Sequence, residues 1–562
     1  MIPGFIRRHP LAILFAFVTV CVLPMLLFRD PSASNELRYL SIVEEALRDG
    51  HLFAFYNQGA AYTDKPPLFF WIMMFCRLFC SPTCMWLPVL LSALVPTFVT
   101  VAVMDRWMRM ATPQTGLQMR LCCASVFLAG VLVMIQTFFL RMDMLMTMFI
   151  VLALFTFWKM YAGVGACRAD RWLLPLYIFL ALFSKGPVGF FAPVLIIIVF
   201  LALNRQLKRL PEILGWRQWL VMGVLFGGWI LGAYLEGRRE YLDSLLFHQT
   251  IDRAVNAFTH KQPFWWYIPT LLYAVLPYTL LLIPAVGYLY VRHGLCFKRC
   301  HLRAYDSATC SAGGGNAFTR LLLTAIAVTF VMLSAFSGKL AIYLTPIIPF
   351  MAYLMPAFAS ATQGRAEGLK KASLLVTAAI FVIAGCALWA LSLSTGTDLL
   401  APLAMRLAMV IPYIFCTTIL AIAAVLALGG IVSIVVICRR GWVKGAVALG
   451  AAVYLAVFAA GVTIEPLNEW TAYKKVCREA LKASDNGTYN TLFVHRPENM
   501  DVYLGCDVTD FGEDVDAFVA GGDHRGESLI VPTAKIQEST RLREYLESSE
   551  PTRVGPFSVY GL

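Results

Sequence analysis

The sequence predicts an α-helical multi-pass membrane protein of about thirteen transmembrane helices, followed by a small C-terminal α/β region. Hydrophobic residues make up 59% of its 562 positions and charged residues only 14%, too apolar for a soluble chain of several domains. Apolar runs recur from Pro10 to Val462, and from about Pro466 the composition turns to a mixed, charged pattern.

The expected spans are residues 10–28, 84–103, 120–138, 143–161, 172–184, 186–203, 217–235, 266–291, 320–336, 340–360, 372–393, 407–437 and 441–463. The fifth is short for a hydrocarbon core of about 30 Å, which predicts a tilt or a break. The first follows Arg7 and Arg8 and lacks a small-x-small cleavage site, so it is expected to be retained. Residues 67–80 are too short to span and are expected to form a helix lying at the interface. In the C-terminal region, 491–494 and 528–531 read as strands and 469–483 and 537–548 as helices. Domain limits of 1–465 for the membrane part and 466–562 for the soluble α/β part follow.

The net charge of +12 does not point to nucleic acid, because most Lys and Arg sit in short loops between apolar runs, where they set orientation. Arg106/Arg109/Arg120, Arg205/Lys208/Arg209 and Arg439/Arg440/Lys444 fall on one side with the other basic loops, which is expected to be cytoplasmic. The loop 29–83 and the C-terminal region are then extracytoplasmic, together with the turns near Asp143, Lys185 and Lys339. Among the cysteines, Cys21, Cys122, Cys123, Cys386 and Cys416 lie in apolar runs as packing residues. His293, Cys296, Cys300, His301 and Cys310 share one loop, but their spacing matches no common zinc finger. Cys477 and Cys506 are the two cysteines of the soluble region and are expected to pair in an oxidising compartment.

The first long loop concentrates the charge that topology does not explain. Leu37, Leu40, Val43 and Leu47 follow helical spacing and leave Asn35, Glu36, Arg38 and Tyr39 at a helix start. Further on comes Tyr62-Thr-Asp64-Lys65-Pro66-Pro67. Alone, Glu36 or Asp64 reads as a solvated acid or a cap, Lys65 as a snorkelling lysine, Arg253 as a loop charge and Tyr343 as part of an aromatic belt. Lys185, beside Gly186-Pro187, reads as a turn with an interface anchor. Asp143 opens a Met-rich span, where an acid drawn to the bilayer centre costs about 2.5–3.5 kcal/mol. It is expected to face an aqueous cavity or to pair with Arg141.

Taken together, these elements resemble the bacterial polyprenyl-phosphate-sugar glycosyltransferases, of the lipid A aminoarabinose transferase and protein O-mannosyltransferase-like type. Asn35-Glu36-x-Arg38-Tyr39 is similar to the motif that opens their first external loop, and Tyr62-x-Asp64-Lys65-Pro66-Pro67 to the element that closes it. Arg141-Met-Asp143, Ser184-Lys185-Gly186-Pro187, His248 with Arg253, and Lys339 with Tyr343 follow in family order, and the resemblance stops near residue 465.

The resemblance implies a GT-C fold in the bacterial inner membrane, with the active site facing the periplasm. It also implies an inverting transfer of a sugar from an undecaprenyl-phosphate-type donor to an acceptor, a lipid A phosphate or a protein. Glu36, Lys65, Arg253 and Asp143 are then the catalytic candidates, and Tyr39, Tyr62, Lys65, Arg253, Tyr343 and Lys339 the donor-binding ones. Asn35, Arg141 and Asp143 would face the acceptor. No cofactor is required; a divalent metal is allowed, with His248 as its one candidate ligand. Cleaving the anomeric bond leaves charge on phosphate, which Lys65 and Arg253 would stabilise. Asn35 stands where the family has aspartate, and an amide is no general base. That favours a phosphate-bearing acceptor or moves the base role to Glu36 or Asp143. A transporter or flippase of lipid-linked sugars is the rival reading, opposed by the lack of inverted repeats and by charge gathered at one face.

Overall fold

The computed structural model describes residues 9–246, 261–293, 310–362, 366–394, 400–522 and 524–562, with 310–316 as backbone only. His248 and Arg253 lie outside these residues, as do Cys296, Cys300 and His301.

Among the described residues, eight helices are long and apolar enough to cross a membrane, or nine if the bent pair Ala341–Ala352 and Met355–Ala361 is one span. The eight are Pro10–Phe28, Trp86–Ala111, Asp143–Ala162, Trp216–Leu246, Ala317–Ala335, Glu367–Ser392, Thr417–Arg440 and Trp442–Val462. Asp170–Lys185 and Pro187–Leu203 form a shorter apolar hairpin. Helices Asp143–Ala162 and Trp442–Val462 are more than half buried, whereas Trp216–Leu246, Glu367–Ser392 and Thr417–Arg440 are mostly uncovered apolar surface. That is the pattern of central helices ringed by lipid-facing ones.

Several expected spans are divided, each beside a glycine or a proline. The run 120–138 breaks at Gly130, between Leu117–Ala129 and Val131–Gln136. The run 266–291 breaks around Pro277, between Tyr267–Ala274 and Thr279–His293. The run 407–437 is not one helix: Ala401–Val410 ends at Ile411, whose extended ψ of 88° precedes Pro412, and Thr417–Arg440 starts afresh. The residue before proline is pushed out of the helical region, which ends the first helix there. Within the segment 67–80 the structure forms the helix Leu68–Arg77.

Beyond Val462 come the helices Glu465–Thr471 and Lys474–Ala483 and then a five-stranded mixed sheet. Its strands are β3 (Tyr489–Thr491), β4 (Thr509–Asp510), β5 (Ser528–Pro532), β6 (Thr552–Val554) and β7 (Phe557–Gly561), in the order β4-β3-β5-β7-β6; β1 (Tyr56–Asn57) and β2 (Ala60–Ala61) form a small hairpin in the first long loop. β5 runs parallel to β3 and antiparallel to β7, and Leu529 and Val531 pack with Leu492, Phe518, Leu542 and Tyr560. The expected Cys477–Cys506 pair does not form. Cys477 is fully buried in the helix Lys474–Ala483, while Cys506 is exposed beyond the helix-ending Gly505, and both are free thiols.

Two glycines set how closely elements approach. A Cβ at Gly461 would lie 2.5 Å from the Met25 nitrogen, so the last membrane helix rests on the first. A Cβ at Gly189 would lie 2.1 Å from the Ala181 carbonyl oxygen, inside the hairpin that ends in Lys185. Gly189→Ala should therefore cost about 1–3 kcal/mol through overpacking. Gly223→Ala, at a position with open space around it, should leave stability nearly unchanged. Thermal unfolding of the two purified variants in detergent checks the contrast.

Candidate active site

The first long loop is anchored by carboxylates, each plugged into backbone N–H groups. Glu36, in the first turn of the helix Glu36–Asp49, is 1% exposed. Its Oε2 accepts from Arg29 Nη1 at 2.6 Å and the Ser32 N–H at 2.9 Å, and its Oε1 from Arg29 Nη2 at 2.7 Å and the Leu140 N–H at 2.6 Å. Arg29 also donates to the Phe138 carbonyl at 2.8 Å and lies over the Phe139 ring. Glu45 accepts from the Gln58 and Gly59 N–H groups at 2.7 and 2.9 Å. Glu236, from the helix Trp216–Asp243, accepts from three successive N–H groups, those of Leu52, Phe53 and Ala54. A carboxylate that accepts several backbone donors is a strong, directional anchor.

The segment that Glu36 grips through Leu140 leads directly into Arg141 and Asp143. Asp143, 1% exposed at the start of Asp143–Ala162, is paired with Lys185 and accepts from Arg141 Nε at 3.2 Å. The expected Arg141–Asp143 pair is thus present, and Lys185, read from sequence as a turn anchor, is a second cation on the same carboxylate. The Lys185 ammonium sits 4.4 Å from the Tyr343 ring centroid, and Lys65 and Arg141 are its like-charged neighbours. Helix ends far apart in sequence thereby gather Lys65, Arg141, Asp143, Lys185 and Tyr343. Only the placement of Lys185 at a helix C-terminus, opposite an acid that opens another helix, could have signalled its part in sequence.

Beside this cluster, Arg38 donates to Asn35 Oδ1 at 3.2 Å and lies over the rings of Tyr62 and Tyr39, 5.1 and 5.8 Å from their centroids. Burial pushes the Tyr39 hydroxyl up despite the nearby Arg141 and Arg38, so it stays a protonated donor. Phe69 and Phe70 of the helix Leu68–Arg77 meet the Tyr39 ring edge-on, and Phe70 also meets Tyr62, which carries the two loop motifs on one aromatic wall. Lys339 is committed elsewhere. It is 3% exposed and donates to the carbonyls of Gln262, at 3.1 Å, and Phe336, tying two segments together. Among the described residues no group of three or more His, Cys, Asp or Glu side chains is placed to hold a metal.

The C-terminal region is bonded to the same loop. Asn468 accepts from the Asp30 N–H and donates to the Phe28 carbonyl, Lys474 pairs with Asp30 at 2.8 Å, and Arg496 donates to the Ser34 carbonyl at 2.7 Å. Asp501 reaches the middle of the helix Glu36–Asp49: its Oδ2 accepts from Ser41 Oγ at 2.9 Å and Gln58 Nε2 at 3.1 Å. Burial pushes Asp501 up to about 6, with Asp507 and Glu45 adding to it and the Ser41 and Val502 hydrogen bonds opposing it.

No family model matches the chain. Its architecture is that of the multi-pass GT-C membrane proteins. Within that class it shares its fold with ArnT from Cupriavidus metallidurans, whose crystal structure bound to undecaprenyl phosphate superimposes with a TM-score of 0.71 at 15% identity, covering 98% of each chain. In sequence it is 24% identical over 369 residues to the undecaprenyl phosphate-alpha-4-amino-4-deoxy-L-arabinose arabinosyl transferase of Shewanella sediminis, covering 64% of this chain and 61% of the relative. The protein of the same name from Erwinia tasmaniensis is 25% identical over 364 residues, 63% of this chain and 60% of that one. The chain thus spans about three fifths of the length of these curated relatives, and it resembles them in sequence.

Two outcomes test this geometry. Glu36→Gln strands the Arg29 cation, only 7% exposed, and should cost about 3–5 kcal/mol. A double-mutant cycle with Arg29→Met, read by thermal unfolding, should return part of that loss. Asp501 titrates higher in the folded chain than its ordinary 3.8. Its contribution is therefore fully present below pH 3.8 and is lost as pH rises through about 6, an effect of at most roughly 3 kcal/mol. Asp501→Asn should flatten the stability profile between pH 4 and 7 and raise stability at pH 7.5.

Proposed function

We propose that the protein is an inverting glycosyltransferase of the bacterial inner membrane. It moves a sugar from an undecaprenyl-phosphate-type lipid to a lipid A phosphate at the periplasmic face. The reading is carried by the cluster around Lys185, in which Lys185 and Arg141 both hold Asp143 while Lys65 and Tyr343 lie beside Lys185. Such a site suits a phosphate whose charge grows as the anomeric bond breaks. The names of the sequence relatives support the donor class and a 4-amino-4-deoxyarabinose as the sugar. Lys65, with Arg253, neutralises the donor phosphate, Tyr343 lines the same cation cluster, and Asn35, Arg141 and Asp143 face the acceptor.

The base chemistry supports a phosphate acceptor. Of the three groups that compete for the base role, Asn35 is an amide, Glu36 has its lone pairs filled by four donors, and Asp143 is held by two cations. A protein hydroxyl must lose a proton to react, whereas a phosphate arrives with a nucleophilic oxygen. In this arrangement Glu36 positions the loop, and Lys339 anchors the segment beside Gln262.

Transfer from a defined undecaprenyl-phosphate-linked sugar, in proteoliposomes with equal amounts of each variant, tests the reading. Lys65→Met keeps the apolar stem and removes the charge, so turnover should fall by roughly 10²–10³ with folded protein unchanged. Asn35→Asp should retain activity, and Asn35→Ala should lose less than Lys65→Met. Near wild-type turnover of Lys65→Met removes the clamp. Lipid consumption in detergent separates transfer from transport, and mass spectra of lipid A and of glycoproteins from a deletion strain separate the two acceptors.

A further inference from the structure

The loop that carries the candidate site ends in a segment that none of this chemistry uses, Cys76-Arg77-Leu78-Phe79-Cys80-Ser81-Pro82-Thr83-Cys84. The helix Leu68–Arg77 closes with the Phe79 N–H donating to the Cys76 carbonyl at 3.0 Å. A turn follows in which the Cys84 N–H donates to the Ser81 carbonyl at 3.1 Å, with proline at the second position, where its fixed φ fits. Arg77 holds the segment from both sides, donating to the Cys80 carbonyl and pairing with Glu44 of the helix Glu36–Asp49. The turn brings Cys80 and Cys84, four residues apart in sequence, onto one side of it, close enough for their side chains to interact. Both are partly exposed free thiols, whereas Cys76 is buried beneath them.

We propose that Cys80 and Cys84 are a redox pair that closes as a disulfide on the extracytoplasmic side of the membrane. In the first step the Cys84 thiolate attacks a sulfur of a protein disulfide donor, and one donor sulfur leaves as a thiol. In the second, the Cys80 thiolate attacks the Cys84 sulfur of the mixed disulfide and expels the donor. Two electrons and two protons pass to the donor, which ends as a dithiol. Burial, and then the neighbouring Cys84 thiol, push the Cys80 thiol up to about 11. A thiol of that kind does not stabilise its reduced form as a thiolate, which favours the bonded state once it is made. Metal binding does not account for the grouping, because the three sulfurs are not placed to hold an ion. The bond would fix the turn between the helix Leu68–Arg77 and the membrane helix Trp86–Ala111, and with it the Arg77 clasp on Glu44.

The pairing rests on the outward orientation of the loop and not on the transfer activity. Tryptic cleavage after Arg77 and Arg106 releases residues 78–106, in which Cys80 and Cys84 are the only cysteines. Membranes from growing cells are quenched in acid, denatured and treated with N-ethylmaleimide. Without reductant the peptide should carry no maleimide and be lighter than the dithiol by two hydrogen atoms; after reduction it should take up two. Two maleimides without reductant overturn the proposal, as does a cross-link from either residue to Cys76. In the Cys80→Ser variant, Cys84 should label with a membrane-impermeant maleimide in right-side-out vesicles. Labelling there beside a wild-type dithiol peptide would mean that the pairing fails and the orientation holds. No labelling would mean that the orientation fails and the pairing with it.

Discussion

A single buried ion pair decides where the first long loop can sit. Arg29 caps the C-terminus of the first membrane helix, and Glu36 begins the helix that carries Arg38 and Tyr39, with Asn35 at its N-cap. Their two-point contact also gathers the Ser32 and Leu140 N–H groups and the Phe138 carbonyl. Neither charge tolerates loss of the other at that depth. The pair therefore holds two stretches of chain far apart in sequence in one geometry, and the segment leading into Arg141 and Asp143 is one of them.

From that anchor the electrostatics follow. Asp143 is held by both Arg141 and Lys185 at the ends of their helices, with Lys65 beside Lys185 and Asp64 near Tyr39. Cations held by packed helices and a short-range carboxylate are already oriented before any anion arrives, and a preset field of this kind is worth more than mobile surface charge. The aromatic wall of Tyr39, Tyr62, Phe69 and Phe70 supplies the low-dielectric side of the same space.

The sequence made the membrane character, the order of the apolar runs and the charged loop legible, because hydropathy and helical spacing are local properties. It did not show that Glu36 is clasped by Arg29 and the Leu140 N–H, since these become neighbours only on folding. Lys185 was read as a turn for the same reason: its partner Asp143 is on another helix. The run 407–437 looked continuous because its hydropathy is unbroken, although Pro412 ends one helix and starts the approach to the next. Cys477 and Cys506 were matched by compartment alone, which says nothing of which way a helical side chain faces. Arg253 and His248, which the family resemblance places at the site, lie outside the described residues.

The contact of Gly461 with Met25 and Pro24, sealed by Asn468 and Lys474 around Asp30, has a consequence for biosynthesis. Chains emerge from the ribosome N-terminal end first and fold in that order where they can. Here the first membrane helix leaves the ribosome with one of its faces awaiting a partner that is translated more than four hundred residues later. Until that partner is inserted, the loop above Arg29 lacks its C-terminal contacts. A truncated or stalled chain would then carry the charged loop in an unfinished state, open to membrane proteases, and only a full-length product would escape them.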